Sequence, residues 1–153
     1  RRSQKVATLW TQGSIPLFES ILKVNPSEFS TLKDLGTVCA RAGNVSAALK
    51  HLGLAAMLRP VHPGVLLNLA TVLHQGGARL QEAEAWYISA RRAAAVAEQQ
   101  CPGCVPQATE LAKVDANLAA LYLQARRTNE AVQVLEERSP WIGALPAARA
   151  PGL

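Results

Sequence analysis

Apolar residues recur at helical spacing in the segment 29–60. Leu32 and Leu35 lie about one helical turn apart, and Leu52 belongs to a second apolar run further along. Gly36 follows Leu35 directly and would let two helices approach closely. The segment therefore predicts a pair of antiparallel helices with a shared apolar face.

The ends of these two helices are marked by residues that interrupt helical structure. Gly43 suits the left-handed position after a helix C-terminus, and Asn44 suits the N-cap of the next helix. Pro60 lacks the backbone N–H that a continuing helix needs. These signals predict a short turn at 41–44 and an end to the second helix before Pro60.

A period of 34 residues relates this unit to its neighbours. Landmarks of the same kind stand 34 positions apart in five cases: Pro26 and Pro60, Leu32 and Leu66, Leu35 and Leu69, Gly36 and Ala70, Gly43 and Gly77. A repeat of this length is typical of an array of helix pairs that bury a continuous core by stacking. The second unit starts near Pro63 and continues through Ala83, Tyr87 and Ala90, with one extra residue in its turn.

A third unit follows after an insertion. Its landmarks Leu118, Ala119 and Tyr122 are displaced by about fifteen residues relative to the 34-residue period. We therefore predict an insertion at about 91–107, in which a helix continues through Arg91–Gln100 and a loop occupies 101–106. The third unit carries Asp115 where a large apolar residue is expected.

The remaining segments complete the predicted domain organisation. Segments 6–12 and 14–24 are interpreted as two helices of an earlier unit, which gives a repeat domain at 1–138 with about 3.5 to 4 units. The tail 139–153, rich in Pro and Ala, is predicted to be a linker or an extended peptide. Since the chain begins with Arg1, we expect a fragment or a processed chain.

Composition and charge narrow the classes of function. Apolar residues make up 49% of the chain and aromatic residues only 5%, which favours packed helices over a β-sandwich. The net charge is +5, but the basic residues are scattered without interleaved aromatics, so the pattern argues against nucleic-acid binding and favours acidic protein partners. No stretch has the roughly 20 apolar residues of a membrane span, and the cytoplasm is the default compartment.

The ordered landmarks between Phe29 and Pro60 resemble the tetratricopeptide repeat (TPR). The resemblance implies an all-α, right-handed α-solenoid of antiparallel helix pairs that binds proteins or extended peptides in a concave groove. In this family the first helix of each unit lines the groove. The corresponding residues here are Lys33, Asp34, Thr37, Asn68, Thr71, Gln75, Lys113, Asn117 and Gln124.

Two recognition modes remain open for this groove. Asp34, Asn68 and Asn117 precede equivalent landmarks and resemble the asparagine ladder of protein O-GlcNAc transferases, whose amides can pair with a peptide backbone. Lys33, Asn68 and Lys113 resemble instead the carboxylate clamp of co-chaperones that bind heat-shock chaperones. Thr37 stands where that clamp has Asn, and Asn117 stands where it has Arg, so the bidentate guanidinium is missing.

The cysteines and histidines give no clear chemical site. Cys101 and Cys104 have metal-ligand spacing, but a structural zinc site needs four ligands and no second pair follows. A zinc ligand pair, a disulfide and an ordinary loop all remain open. His51, His62 and His74 fall in other parts of the repeat, and no catalytic set or phosphate-binding loop is present. We therefore predict no metal, no cofactor and no enzymatic activity for this chain.

The predicted function is that of a scaffold that binds a protein or peptide through the groove. One alternative is the substrate-docking or assembly region of a larger enzyme, such as a glycosyltransferase or a hydroxylase. Another is a subunit of a large complex, which the apolar composition favours.

Overall fold

A computed structural model describes residues 2–77, 79–101 and 105–137, with side-chain packing for 13–77, 79–101 and 109–137. Within these ranges every regular element is a helix, so the predicted all-α class is confirmed. In chain order the helices are α1 (Arg2–Val24), α2 (Phe29–Arg41), α3 (Val45–Leu58), α4 (Pro63–Gly76), α5 (Leu80–Gln100), α6 (Val105–Gln124) and α7 (Thr128–Glu137).

The α2–α3 turn forms as the sequence predicts. Helix α2 ends at Arg41, Gly43 adopts a left-handed φ of 78°, and the Asn44 side chain accepts a hydrogen bond from the Ala47 N–H at 3.1 Å. Glu28, which the sequence pattern did not single out, caps the start of α2. Its carboxylate accepts hydrogen bonds from the N–H groups of Ser30 and Thr31.

The Glu28 cap should make the free energy of unfolding depend on pH under acidic conditions. Hydrogen bonding from Thr31, first by its side chain and then by its N–H, lowers the pKa of Glu28 below its ordinary value of 4.5. A carboxylate with a lowered pKa stabilises the fold fully above its unfolded pKa, and loses that effect as the pH falls through its folded pKa. We expect Glu28→Gln to be less stable than wild type at pH 7, and the difference to shrink below pH 4.5. Urea unfolding from pH 7 to pH 3 measures this; a constant difference would contradict it.

Two clusters of buried side chains form one continuous core because α4 contributes to both. Leu32, Leu35 and Leu52 pack in the first cluster with Leu69 of α4. Leu66 of α4 packs in the second cluster, which extends through α5, α6 and α7. The leucine landmarks of the 34-residue period thus lie in the core, as expected for stacked helix pairs α2–α3, α4–α5 and α6–α7.

The insertion mainly lengthens the helices α5 and α6. Helix α5 continues to Gln100, as predicted. The predicted loop at 101–106 is too long, since α6 already begins at Val105 and contains Pro106 in its first turn. Proline is compatible with this position because the first turn does not need its backbone N–H. Cys101 is disulfide-bonded and Cys39 is a buried free thiol, whereas Cys104 lies outside the described residues.

The first predicted helix pair is instead one helix. Segments 6–12 and 14–24 both belong to α1, which runs without interruption through Gly13 and Pro16. A single Gly lowers helix stability by about 1 kcal/mol but does not by itself end a helix, and the chain stays helical here although Ser14 and Pro16 follow Gly13. The predicted tail, 139–153, lies outside the described residues.

Asp115 is buried at a position where the repeat pattern predicts an apolar residue. Only 1% of it is exposed, and the Arg91 Nε donates a hydrogen bond to its Oδ1 at 2.8 Å. The same guanidinium reaches Glu137 Oε2 at 2.9 Å, and this hydrogen bond lowers the pKa of Glu137. One arginine of α5 therefore connects the buried carboxylate of α6 with the end of α7.

Among the described helices, none is both long and apolar enough to cross a membrane.

Candidate functional site

Four of the nine predicted groove residues meet at one cavity. Helices α2 and α4, the first helices of adjacent units, form a cavity of about 230 Å³. Its lining residues are Thr37, Ala40, Arg41, Asn68, Thr71, Val72 and Gln75. The polar side chains of this set line a surface between two neighbouring repeats, where a bound segment would contact both.

Asn68 is held in place by a short hydrogen-bond chain. Its Nδ2 donates to the Thr37 Oγ1 at 2.9 Å, and the Thr37 hydroxyl donates to the carbonyl oxygen of Lys33 at 2.8 Å. The Asn68 amide is thus oriented by a residue of the preceding unit. Within the described part of the chain, no hydrogen bond involves its Oδ1.

The other five predicted groove residues have different surroundings. Lys33 and Asp34 form an ion pair with each other at 3.4 Å, and Lys113 pairs with Glu110 at 2.9 Å. Asn117 is half-buried on α6. Gln124, at the end of α6, contacts the Nε2 of His74 through its Oε1 at 2.7 Å. These residues do not line the cavity between α2 and α4.

Two polar residues near the predicted groove positions were not predicted from the sequence: Arg41 lines the cavity, and His74 contacts Gln124. Arg41 lies four positions after Thr37 on the same helix face, a spacing that could have revealed it, but it was interpreted only as part of the turn. His74 has no acidic partner at helical spacing, yet it joins two helices. Its Nδ1 lies 3.3 Å from the Tyr87 hydroxyl, on α5, while its Nε2 meets Gln124.

Tyr87 connects this histidine to the cavity. Its hydroxyl donates to the Thr71 Oγ1 at 3.3 Å, and the Thr71 hydroxyl donates to the Leu67 carbonyl at 2.8 Å. Burial raises the pKa of Tyr87, so the phenol stays protonated at neutral pH and can donate. The arrangement therefore orients the Thr71 hydroxyl.

His62 has a structural role at the start of α4. Its Nδ1 accepts a hydrogen bond from the Val65 N–H at 3.4 Å, and its ring packs on Phe29 with centroids 5.1 Å apart. Burial, followed by the positive charges of Lys33 and Arg59, lowers the pKa of His62 and favours the neutral ring. In the described ranges, no group of three His, Cys, Asp or Glu side chains could hold a metal ion.

Comparisons with known proteins agree with this architecture. No family model matches the chain. A crystal structure of MamA, a TPR-like protein, superposes with a TM-score of 0.50 over 84% of this chain and 86% of MamA, at 16% identity. A second MamA crystal structure gives a TM-score of 0.45 over 97% of this chain and 93% of that one, at 17% identity.

The sequence match is local. The human protein O-mannosyl-transferase TMTC2 is 54% identical over 44 residues, which are 29% of this chain. The chain spans only 5% of the length of that protein. The MamA superposition shows the fold, a TPR-like helical solenoid, and both similarities support the resemblance to the tetratricopeptide-repeat family.

Proposed function

We propose that this chain is a protein-interaction module, and that the groove along α2, α4 and α6 binds an extended peptide through its backbone. The observation that carries the proposal is the cavity between α2 and α4, where Thr37, Asn68, Thr71 and Gln75 converge. A helical-repeat fold of this kind favours protein partners. The binding mode that we propose follows from the polar side chains that line this cavity.

Asn68 is the central residue of the proposed site. A carboxamide offers both a donor and an acceptor, so it can pair with the C=O and the N–H of a peptide irrespective of side-chain sequence. Its orientation by Thr37 reduces the rotamer entropy that would be lost on binding. Asn117 would act in the same way from α6, further along the groove.

Arg41 adds a charge preference to this backbone recognition. It is exposed and lines the cavity beside Thr37 and Gln75. A guanidinium at this place would favour a carboxylate in the bound segment. We do not propose the carboxylate clamp, because Lys33 and Lys113 are each paired with an acid and Asn117 replaces the clamp's arginine.

Substitutions in the groove should separate backbone binding from charge steering. A pull-down with the chain, followed by mass spectrometry, identifies a partner, whose affinity is then measured for Asn68→Ala, Asn117→Ala and Lys33→Ala at two salt concentrations. Each Asn variant should lose roughly 1 to 3 kcal/mol, or about five- to 150-fold in affinity, because a peptide group is left unpaired. Lys33→Ala should chiefly slow association at low salt.

Gln81→Ala is a matched control, because it removes an exposed amide from α5, outside the cavity. It should bind the partner as wild type does. If both Asn variants keep wild-type affinity, the groove is not the binding site.

A second candidate function is that the chain is the docking or assembly region of a larger enzyme. The local match to the human protein O-mannosyl-transferase TMTC2 favours it. Sequencing of the complete transcript tests this candidate directly. A transferase domain in the same open reading frame would support it, and a reading frame that encodes helical repeats alone would exclude it.

A further inference from the structure

A second cavity lies away from the groove. It has a volume of about 440 Å³ and lies between the α3–α4 turn and the later part of α5. Pro60 and Val61 of the turn form one side, and Ala93, Val96 and Ala97 form the other. It shares no lining residue with the groove cavity, and its volume is within the range of about 300 to 1,000 Å³ that is usual for ligand pockets.

The cavity depends on the insertion. Val96 and Ala97 belong to the part of α5 that extends beyond the 34-residue framework. A solvated helical extension would be expected to carry polar residues on its free face. Here the extension instead places small and apolar side chains opposite the proline-bounded turn at Pro60 and Pro63, which makes a concave apolar surface.

The rim of the cavity exposes large apolar side chains. Val61 is 78% exposed and Val96 is 52% exposed, whereas Leu66 at the base is only 4% exposed. Exposed apolar groups around a concave site mark an interaction surface more often than isolated ones do. A large apolar side chain of a partner would cover these valines and contact Leu66.

Arg92 supplies the charge at this cavity. It is exposed and, within the described part of the chain, forms no ion pair. Its neighbour Arg91 differs, since that guanidinium is engaged by Asp115 and Glu137. The free guanidinium beside an apolar cavity can form a bidentate pair with a carboxylate.

We propose that this second cavity docks a partner peptide with a large apolar side chain adjacent to an Asp or Glu. The apolar side chain enters between Pro63 and Val96, and the carboxylate pairs with Arg92. The chain's net charge of +5 would also attract an acidic segment and raise its association rate.

Two other occupants fit the charge less well. The segment 138–153 of this chain contains Trp141 and Ile142, but it has no acidic residue and includes Arg138 and Arg149, which would be repelled by Arg92. A second copy of the chain carries the same net positive charge and gains no long-range attraction. Both become outcomes of the test.

The test uses a random heptapeptide phage library panned on the 153-residue chain and, in parallel, on Ala97→Trp, which fills the cavity. Peptides with an acid next to a large apolar residue should be enriched on wild type and not on the filled variant. A labelled consensus peptide is then titrated by fluorescence polarisation. We expect Arg92→Glu and Val96→Asp each to weaken binding by about tenfold, with a stronger salt dependence in wild type than in Arg92→Glu.

Three controls make the result specific. Lys50→Glu makes a similar charge reversal at an exposed residue of α3 outside the cavity, and Asn68→Ala alters only the groove; both should bind the consensus peptide as wild type does. Circular dichroism of Arg92→Glu and Val96→Asp should match wild type, since both positions are exposed.

Several results would overturn the proposal. They are the absence of any enriched motif, a motif without an acid, and equal losses for Arg92→Glu and Lys50→Glu. If light scattering reveals a dimer and Val96→Asp dissociates it, the cavity binds a second copy of the chain. A gain in peptide affinity for the double variant Trp141→Ala and Ile142→Ala would assign it to the chain's own C-terminal segment.

Discussion

Arg91→Ala should destabilise the chain by about 3 kcal/mol, because the buried Asp115 carboxylate loses the guanidinium with which it pairs. Asp115 is only 1% exposed, and the Arg91 Nε lies 2.8 Å from its Oδ1. The substitution also removes the contact between Arg91 and Glu137. Urea unfolding followed by circular dichroism measures the loss.

Arg92→Ala is the matched control for this prediction. Arg92 is the adjacent residue on α5, but it is exposed and forms no ion pair within the described ranges. Exposed substitutions of this kind usually change stability by no more than about 0.5 kcal/mol. Equal losses for the two alanine variants would mean that the ion pair does not stabilise the fold.

A double substitution shows whether the cost comes from burial of the Asp115 carboxylate without Arg91. Replacement of a buried ion pair by apolar residues of similar size is often neutral or stabilising, whereas removal of one partner is not. We therefore expect Arg91→Met with Asp115→Leu to recover most of the stability lost in Arg91→Ala. Leucine at 115 would also supply the large apolar residue that the repeat pattern predicts at this position. No recovery would show that Asp115 has another structural role.

Gly36→Ala should destabilise the chain by roughly 1 to 3 kcal/mol, because an added methyl group overpacks the close contact between α2 and α3. A Cβ at Gly36 would lie 2.6 Å from the Leu52 Cγ and 3.1 Å from the Leu52 N. Leu52 is completely buried and packs among the side chains of the first core cluster. The neighbouring units should also loosen, since each repeat is stabilised largely by its neighbours.

Gly53→Ala should have the opposite effect. Gly53 lies in α3, and a Cβ there would meet nothing within 4 Å. Alanine in a helix interior is favoured over glycine by roughly 0.5 to 1 kcal/mol. Thermal melting of the two variants therefore tests the register of the repeat directly. An unchanged or raised midpoint for Gly36→Ala would contradict the close α2–α3 packing.

Part of the candidate site could be predicted from the sequence. Thr37, Asn68, Thr71 and Gln75 lie together because the 34-residue period puts equivalent faces of α2 and α4 side by side. Repeat spacing can indicate such a shared face. It cannot indicate that Asn68 donates to Thr37 or that Lys113 pairs with Glu110, since rotamers and local charges decide those contacts.

The sequence by itself determined the helical class, the α2–α3 turn and the landmarks of the core. Those features follow from local rules, namely apolar spacing, the conformational freedom of Gly43, the Asn44 cap and a period that repeats. They need no knowledge of distant contacts.

Only the tertiary structure decided how the exceptions to the pattern are accommodated. Asp115 breaks the apolar pattern, yet it is buried because Arg91, 24 residues earlier in the chain, lies beside it. The second cavity likewise arises where the extension of α5 meets the turn at Pro60 and Val61. Such contacts join residues that are distant in sequence, and their energy depends on burial and on the exact approach of two helices, which no local pattern specifies.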